Sequence, residues 1–167
     1  MLYAHPFSSY CQKVLIALYE NATPFELRML GSAETDAEFA ALWPLKKMPV
    51  LVDAGRTVME SSIIIEHLAL HHPGPVKLLP DDPRVCLDVR FMDRFFDNYV
   101  MTAMQKPVFE ALHAQGARKE GAMVEARQAL ETAYAWLEKR LGGRTWAAGE
   151  SFTMADCAAA IIRAGSG

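Results

Sequence analysis

Cysteine is scarce in this 167-residue chain: Cys11, Cys86 and Cys157 make an odd number and form no C-x-x-C pair. A disulfide framework and a cysteine zinc site are therefore not expected, and a reducing compartment fits. Clustered positive charge is missing too. The 17 basic residues are scattered among 20 acidic ones, for a net charge of -3, which leaves no electrostatic footprint for nucleic acid or an anionic membrane. No apolar run approaches the roughly 18 residues that span a bilayer. The opening MLYAHPF lacks the basic start and long apolar core of a secretory signal. The expected setting is the cytoplasm, with neither nucleic acid nor a membrane as partner. Internal repeats and low-complexity segments are absent as well. What remains, 51% hydrophobic and 22% charged residues, is the composition of a globular chain able to bury a core.

Proline is concentrated rather than spread, with four of nine between positions 73 and 83 in HHPGPVKLLPDDPR. Such a stretch cannot lie inside a helix or a central strand, so it reads as a connector at 73–83 between units at 1–72 and 84–167. In the first unit MLYAH reads as a strand, Ser9 to Glu20 as a helix, PFELRML as a second strand with Phe25, Leu27 and Met29 alternating, and Ala33 to Leu42 as a weaker helix. PVLVDAGRTVME is two short apolar runs about a turn at Gly55, a β-hairpin, and ESSIIIEHLALHH is a helix. The second unit is helical throughout, with a kink expected at Pro107 and Leu130, Tyr134, Leu137 and Leu141 on one face of a later helix.

The order β-α-β-α-β-β-α followed by helices resembles the soluble, cytosolic-type glutathione S-transferases of the serine type. The resemblance runs from Met1 to about Ala160 and rests on HPFSSYCQKVLIAL, KKMPVL, MESSIIIEHL and SFTMADCAAA in that order. It implies an α/β thioredoxin-like domain joined to an all-α domain, glutathione as co-substrate, and a twofold homodimer. In KKMPVL the family's proline is cis, so that Met48, before Pro49, is expected to turn its backbone toward the cysteinyl part of a peptide ligand. Without the family context Pro49 simply opens an apolar strand. Glu60 and Ser61 fall in the first turn of a helix, where free N–H groups and the Ser61 hydroxyl can receive a carboxylate and Glu60 an ammonium. Those are the two charges of a γ-glutamyl group, although capping and the helix dipole favour the same residues there.

The loop HPFSSYC resembles the C-P-Y-C of glutaredoxins with Ser8 in place of the leading cysteine, where serine-type transferases carry their active hydroxyl. Ser8 is thus expected to donate a hydrogen bond to the glutathione thiolate. Ser9 is its neighbour and rival, and also reads as the helix N-cap. Cys11 lies in a first helical turn, which lowers a thiol pKa, yet shares an i, i+3, i+4, i+7 face with Val14, Leu15 and Leu18 and so reads as packing. Tyr10 and Tyr99 are expected around the electrophile. His67 and His71 have the i, i+4 spacing of a metal pair but lack an evident third ligand, so no metal is expected. Phe91, Phe95 and Tyr99 form an aromatic stripe beside Arg90 and Arg94, read as core or dimer contact. Thr153 and Asp156 form a Thr-x-x-Asp capping box with Phe152 as its staple.

Two departures from the family stand out. Trp43 replaces a polar residue common before the family's proline, which leaves Lys46 or Lys47 to hold the ligand's terminal carboxylate. The chain also stops at AAAIIRAGSG, where relatives continue through further helices, and the Ala158 to Ile162 face is expected to lack cover. The reading is a transferase, or an isomerase, that ionises glutathione for attack on a small electrophile. The alternatives are a thiol redox enzyme using Cys11 for deglutathionylation or peroxide reduction, and a non-catalytic module keeping the fold for dimerisation or ligand holding.

Overall fold

The computed structural model describes residues 1–106 and 120–164, the side chains of 120, 122 and 161–164 excepted. Strand β1 (Leu2–Ala4) is buried at every position because it is an inner strand of a four-stranded sheet of order β2-β1-β3-β4. It pairs in parallel with β2 (Leu27–Met29), Leu2 opposite Leu27, and antiparallel with β3 (Val50–Asp53), Tyr3 opposite Val50. β3 turns into β4 (Arg56–Met59) through Ala54 and Gly55, at φ 47° and 79°. Two consecutive positive φ values are what a two-residue type I′ hairpin turn requires.

Alternation along β1 and β3 distributes the core to two faces. Leu2, Ala4 and Leu51 pack with α1 (Ser9–Glu20) and α3 (Ser61–His71), whereas Tyr3 and Val50 pack with Phe39 of α2 (Ala33–Leu42). On α1 the buried face is Cys11, Val14 and Leu18, with Ala17 beside it and Leu15 packed at its margin. On α3 it is Ile64, Ile65 and Leu68, each contributing about 1.5–3 kcal/mol by leaving water. β2 departs from the alternation expected of it. Leu27 and Met29 are exposed, and the intervening Arg28 instead reaches the Glu38 carboxylate of α2 at 2.8 and 2.9 Å, because β2 is an edge strand with one side open.

Residues 72–82 run without helix or strand. Asn21 Oδ1 accepts the Val76 N–H at 2.8 Å, and Leu78, fully buried, accepts the Met154 N–H on its carbonyl at 2.9 Å, so this segment is bonded to both halves of the chain. Helix α4 (Pro83–Phe95) starts with proline at its first position and the Asp82 carboxylate accepting the Arg84 and Val85 N–H groups. It continues as a π-helical turn, Phe96–Met101, and then helically to Lys106; the kink expected at Pro107 lies outside the described residues. Among the described residues two further helices follow, α5 (Glu120–Leu141) and α6 (Met154–Ala164). Before α6 the Asp156 carboxylate accepts the Thr153 N–H at 2.9 Å and reaches back to the Ala147 N–H at 2.7 Å. Ala158, expected to lack cover, is buried in the core cluster; Ile161 and Ile162 lie beyond the described side chains. No helix among the described residues is long and apolar enough to cross a membrane.

One polar cluster joins α1, α3 and α4. Lys13 is 0% exposed, and its Nζ donates to Ser62 Oγ and to Asp97 Oδ2, each at 2.8 Å. It also stands 2.5 Å from Asp93 Oδ1, an ion pair without hydrogen-bond alignment. Ser62 Oγ donates to Asp93 Oδ2 at 2.7 Å, and Arg94 closes the group from the surface side, 2.9 Å from Asp93 and 3.3 Å from Asp97. Two cations and two carboxylates therefore balance, with Lys13 and Asp93 out of water and Arg94 half-exposed at the rim. Burial pushes the Asp97 carboxyl above its ordinary value and Lys13 pulls it back. Removing one partner from such a group leaves a buried charge uncompensated, so Lys13→Met should lower stability by about 3–5 kcal/mol. A chemical-denaturation curve should show this as a lower midpoint with an unchanged slope. A loss under about 1 kcal/mol, the size typical of a hydrated surface pair, would mean that the carboxylates reach water.

Candidate functional site

The sheet register brings three segments to one edge. Tyr3 pairs with Val50 and Val50 with Met59. The chain therefore leaves β1 after Ala4, enters β3 from Pro49 and leaves β4 toward Glu60 at the same end of the sheet. The His5–Ser8 loop, the Met48–Pro49 pair and the Glu60–Ser61 helix start are neighbours for that reason.

The first segment is a tight turn in which the Ser8 N–H donates to the His5 carbonyl at 3.0 Å and the Phe7 N–H to His5 Nδ1 at 3.2 Å. It delivers Ser8, half-buried and extended, to the start of α1, where its Oγ accepts the Cys11 N–H at 3.4 Å and its carbonyl accepts the Gln12 N–H at 2.9 Å. Ser8, and not Ser9, is therefore the N-cap. The cap uses an oxygen lone pair, so the hydroxyl proton can turn either to the neighbouring Cys11 sulfur or to a ligand. Ser9 is the first helical residue, and its Oγ accepts from Gln105 Nε2 at 3.3 Å. Cys11 is 0% exposed, and burial pushes its thiol above its ordinary pKa despite nearby hydrogen-bond donors. Position in a first turn does not activate it because the sulfur faces the core.

In the second segment the Met48–Pro49 peptide bond is cis, as the resemblance implied. Pro49 is buried and Met48 half-buried, while Lys46 and Lys47 are exposed just before them. Trp43, at the end of α2, packs on the cluster of Tyr3, Leu30, Phe39 and Val50, and its Nε1–H has no partner among the described residues.

The third segment begins at Glu60, whose φ of 69° and ψ of 119° place a non-glycine residue in a sparsely populated region of the kind that clusters at functional sites. No side chain caps α3, and Glu60 itself is exposed. Ser61 is buried as the first helical residue, and the uncapped helix start with its donor groups lies next in sequence to an exposed carboxylate. Ser62, one residue further, is held in the Lys13 cluster.

The two tyrosines do not come together. Tyr10 is half-buried next to Ser9 and donates to the Asp97 carbonyl at 3.4 Å, burial pushing its phenol above the usual value. Tyr99 is exposed and lines a cavity of about 650 Å³ between α4 and α5 with Phe95, Thr102, Gln128 and Trp136, of which Tyr10 is not part. The aromatic stripe is covered on one side by Trp136, stacked on Phe95 at 4.4 Å. Arg90 is held by Glu66 at 2.8 and 2.7 Å and Arg94 by the buried acids. Sequence reasoning missed Lys13, Ser62, Asp93 and Asp97. The available signal was a like-charged i, i+4 acid pair, Asp93 and Asp97, set among Phe91, Met92, Phe95 and Phe96.

Family models match the chain in two stretches: "Glutathione S-transferase, N-terminal domain" over residues 2–76 and "Glutathione S-transferase, C-terminal domain" over residues 102–160. FtsZ-localized protein A of Caulobacter vibrioides is 30% identical over 168 aligned residues, covering 95% of this chain and 73% of that protein. Glutathione S-transferase U8 of Arabidopsis thaliana is 32% identical over 117 residues, which is 70% of this chain and 49% of its own length. This chain thus spans about half of one of those relatives and about three-quarters of the other. A glutathione S-transferase of Methylobacterium radiotolerans, solved in complex with glutathione sulfonate, matches with a TM-score of 0.80 at 35% identity, covering 97% of this chain and 76% of that one. FzlA from C. crescentus matches with a TM-score of 0.80 at 28% identity over 97% of this chain and 75% of that one.

Proposed function

The chain belongs to the glutathione S-transferase family, and from that premise we propose that it binds glutathione at the sheet edge and ionises its thiol for attack on a small electrophile. The observation that carries the reading is the register that sets Ser8, Met48 and the uncapped start of α3 side by side. The Ser61 hydroxyl and the first N–H groups of α3 receive the γ-glutamyl carboxylate, and Glu60 receives the ammonium. The Met48 backbone pairs with the cysteinyl unit, and Lys46 or Lys47 neutralises the terminal carboxylate.

The chemical step is small in energy. A thiol of pKa about 8.5 is only about 3% ionised at pH 7, and stabilising its thiolate by about 2.7 kcal/mol lowers the pKa by about two units and makes it mostly ionised. One hydrogen bond from the Ser8 hydroxyl and the dipole of α1 behind it are of that size. The thiol proton leaves to solvent. The thiolate sulfur then forms a bond to the electrophilic carbon, and the displaced electron pair departs with the leaving group or takes up a proton. Tyr10, next to Ser9, faces the electrophile; Tyr99 belongs to a different cavity and is given no part in the step. Burial of Cys11 and its raised thiol weigh against the redox alternative.

A second reading has one specific support: FtsZ-localized protein A, covered over 73% of its length, carries a name that describes location rather than transfer. A non-catalytic module of this fold would keep the sheet edge without using it. Calorimetric titration with glutathione and S-hexylglutathione distinguishes the two. Both should bind, and Ser61→Ala and Glu60→Gln should each weaken binding about ten- to a hundredfold, or roughly 1.5–3 kcal/mol for a charge-assisted partner. Unchanged affinity in both variants would move the γ-glutamyl site elsewhere, and no binding by the unaltered chain would leave the module reading.

The assembly is a twofold homodimer through α3 and α4, a proposal supported by the exposed Ile63 and Leu70 on one helix and Leu87 and Phe91 on the other. Large exposed side chains on two adjacent helices mark an interaction surface more than scattered ones do. Sedimentation should show a dimer at micromolar concentration and a shift to monomer in Leu70→Glu. A monomeric unaltered chain would remove the proposal.

A further inference from the structure

The histidines at the end of α3 do not pair as their i, i+4 spacing suggests. His71 lies against the His67 ring, with centroids 4.4 Å apart, but the polar atoms that converge belong to His67, His72 and Asp53. Both imidazole Nε2 atoms stand 2.8 Å from the same oxygen, Asp53 Oδ2, and all three ligand-type atoms lie within 4.8 Å of one another. Asp53 ends β3, His67 lies in α3 and His72 caps that helix, so two elements that meet only through the fold supply the group. The side chains of His67 and Asp53 are 9% and 26% exposed, while that of His72 is 41% exposed and gives the group an opening to solvent.

We propose that Asp53, His67 and His72 form a divalent transition-metal site, best suited to zinc. Two neutral imidazoles and one carboxylate are a borderline-soft, three-ligand set of the kind zinc accepts with a water in the fourth position. Bonds of about 2.0–2.2 Å to a shared ion require the three atoms to sit somewhat further apart than hydrogen-bond distance. A small rotation of the exposed His72 supplies that, and the ion replaces the two N–H protons that now point at one oxygen. Without an ion, a single carboxylate oxygen serves two histidine donors, and the second oxygen has no partner in this group. The ion would tie the hairpin end of β3 to the last turn of α3. The other end of α3, at Ser61, is about 16 Å away at 1.5 Å per residue, so the site is independent of glutathione binding and its test does not rest on the transferase reading.

Titration calorimetry of the metal-stripped full chain with zinc chloride tests the site. One equivalent should bind. His72→Ala, at an exposed position that leaves the fold intact, and Asp53→Asn should each weaken binding at least tenfold, whereas His71→Ala should leave affinity unchanged. Thermal unfolding of the unaltered chain should move to higher temperature with zinc, and His72→Ala should abolish the shift. No binding, binding indifferent to both His72→Ala and Asp53→Asn, or loss in His71→Ala but not in His72→Ala would each overturn the proposal, the last by returning the ion to the simple helical pair.

Discussion

The buried charge cluster around Lys13 is the constraint on which the rest of the structure depends. An ammonium with no exposure is tolerated only because Asp97, Asp93 and Ser62 surround it. Those partners come from α3, from α4 and from the π-helical turn that continues it, so the orientation of α1 relative to both helices is not free. Hydrophobic burial alone would let these helices slide by fractions of a turn, since apolar contacts are non-directional. The cluster has direction. Ser8 begins α1 five residues before Lys13, and Ser61 precedes Ser62 directly, so the same contacts that join the two halves of the chain also set the distance between the candidate hydroxyl and the candidate anion site.

That coupling gives the local chemistry of HPFSSYC its meaning. Two adjacent serines differ because one is extended and caps the helix, while the next has already entered it. Ser8 accepts the Cys11 N–H and Ser9 accepts from Gln105, so each keeps a hydroxyl proton, and it is the place of Ser8 before the helix, in the loop at the sheet edge, that sets it apart. Cys11 follows one turn later and is turned into the core, where burial makes it a poor thiolate. Cys157 on α6 is a stronger case, its thiol pushed up to about 12 by burial. Neither thiol is therefore suited to act as the ionised sulfur in the proposed reaction.

Much of the fold was legible because the deciding signals are local. The bounds of α1, the hairpin at Ala54–Gly55 and the start of α3 follow from periodicity and turn residues within a few positions. What was not legible depends on distant partners. The Lys13 contacts span 49 and 84 residues, and the partners that His67 meets in its polar group, Asp53 and His72, lie on a strand and at a helix cap. The exposed face of β2 follows from its edge position, which the alternation of Leu27 and Met29 cannot reveal. Choosing Ser8 over Ser9 as the cap required the backbone angles of both. The glutathione contacts proposed for Met48, Glu60 and Ser61 rest on family resemblance together with the register that brings those segments to one edge.

The central claim is that the Ser8 hydroxyl, and neither Ser9 nor Cys11, holds the glutathione thiol in its ionised form. Ultraviolet thiolate absorbance of bound glutathione, followed against pH in the unaltered chain and in Ser8→Ala, tests it most directly. The account predicts that Ser8→Ala still binds glutathione and that its thiolate signal rises only at distinctly higher pH, while Ser9→Ala and Cys11→Ser titrate as the unaltered chain does. A thiolate titration unmoved by Ser8→Ala, or displaced by Cys11→Ser instead, would contradict it.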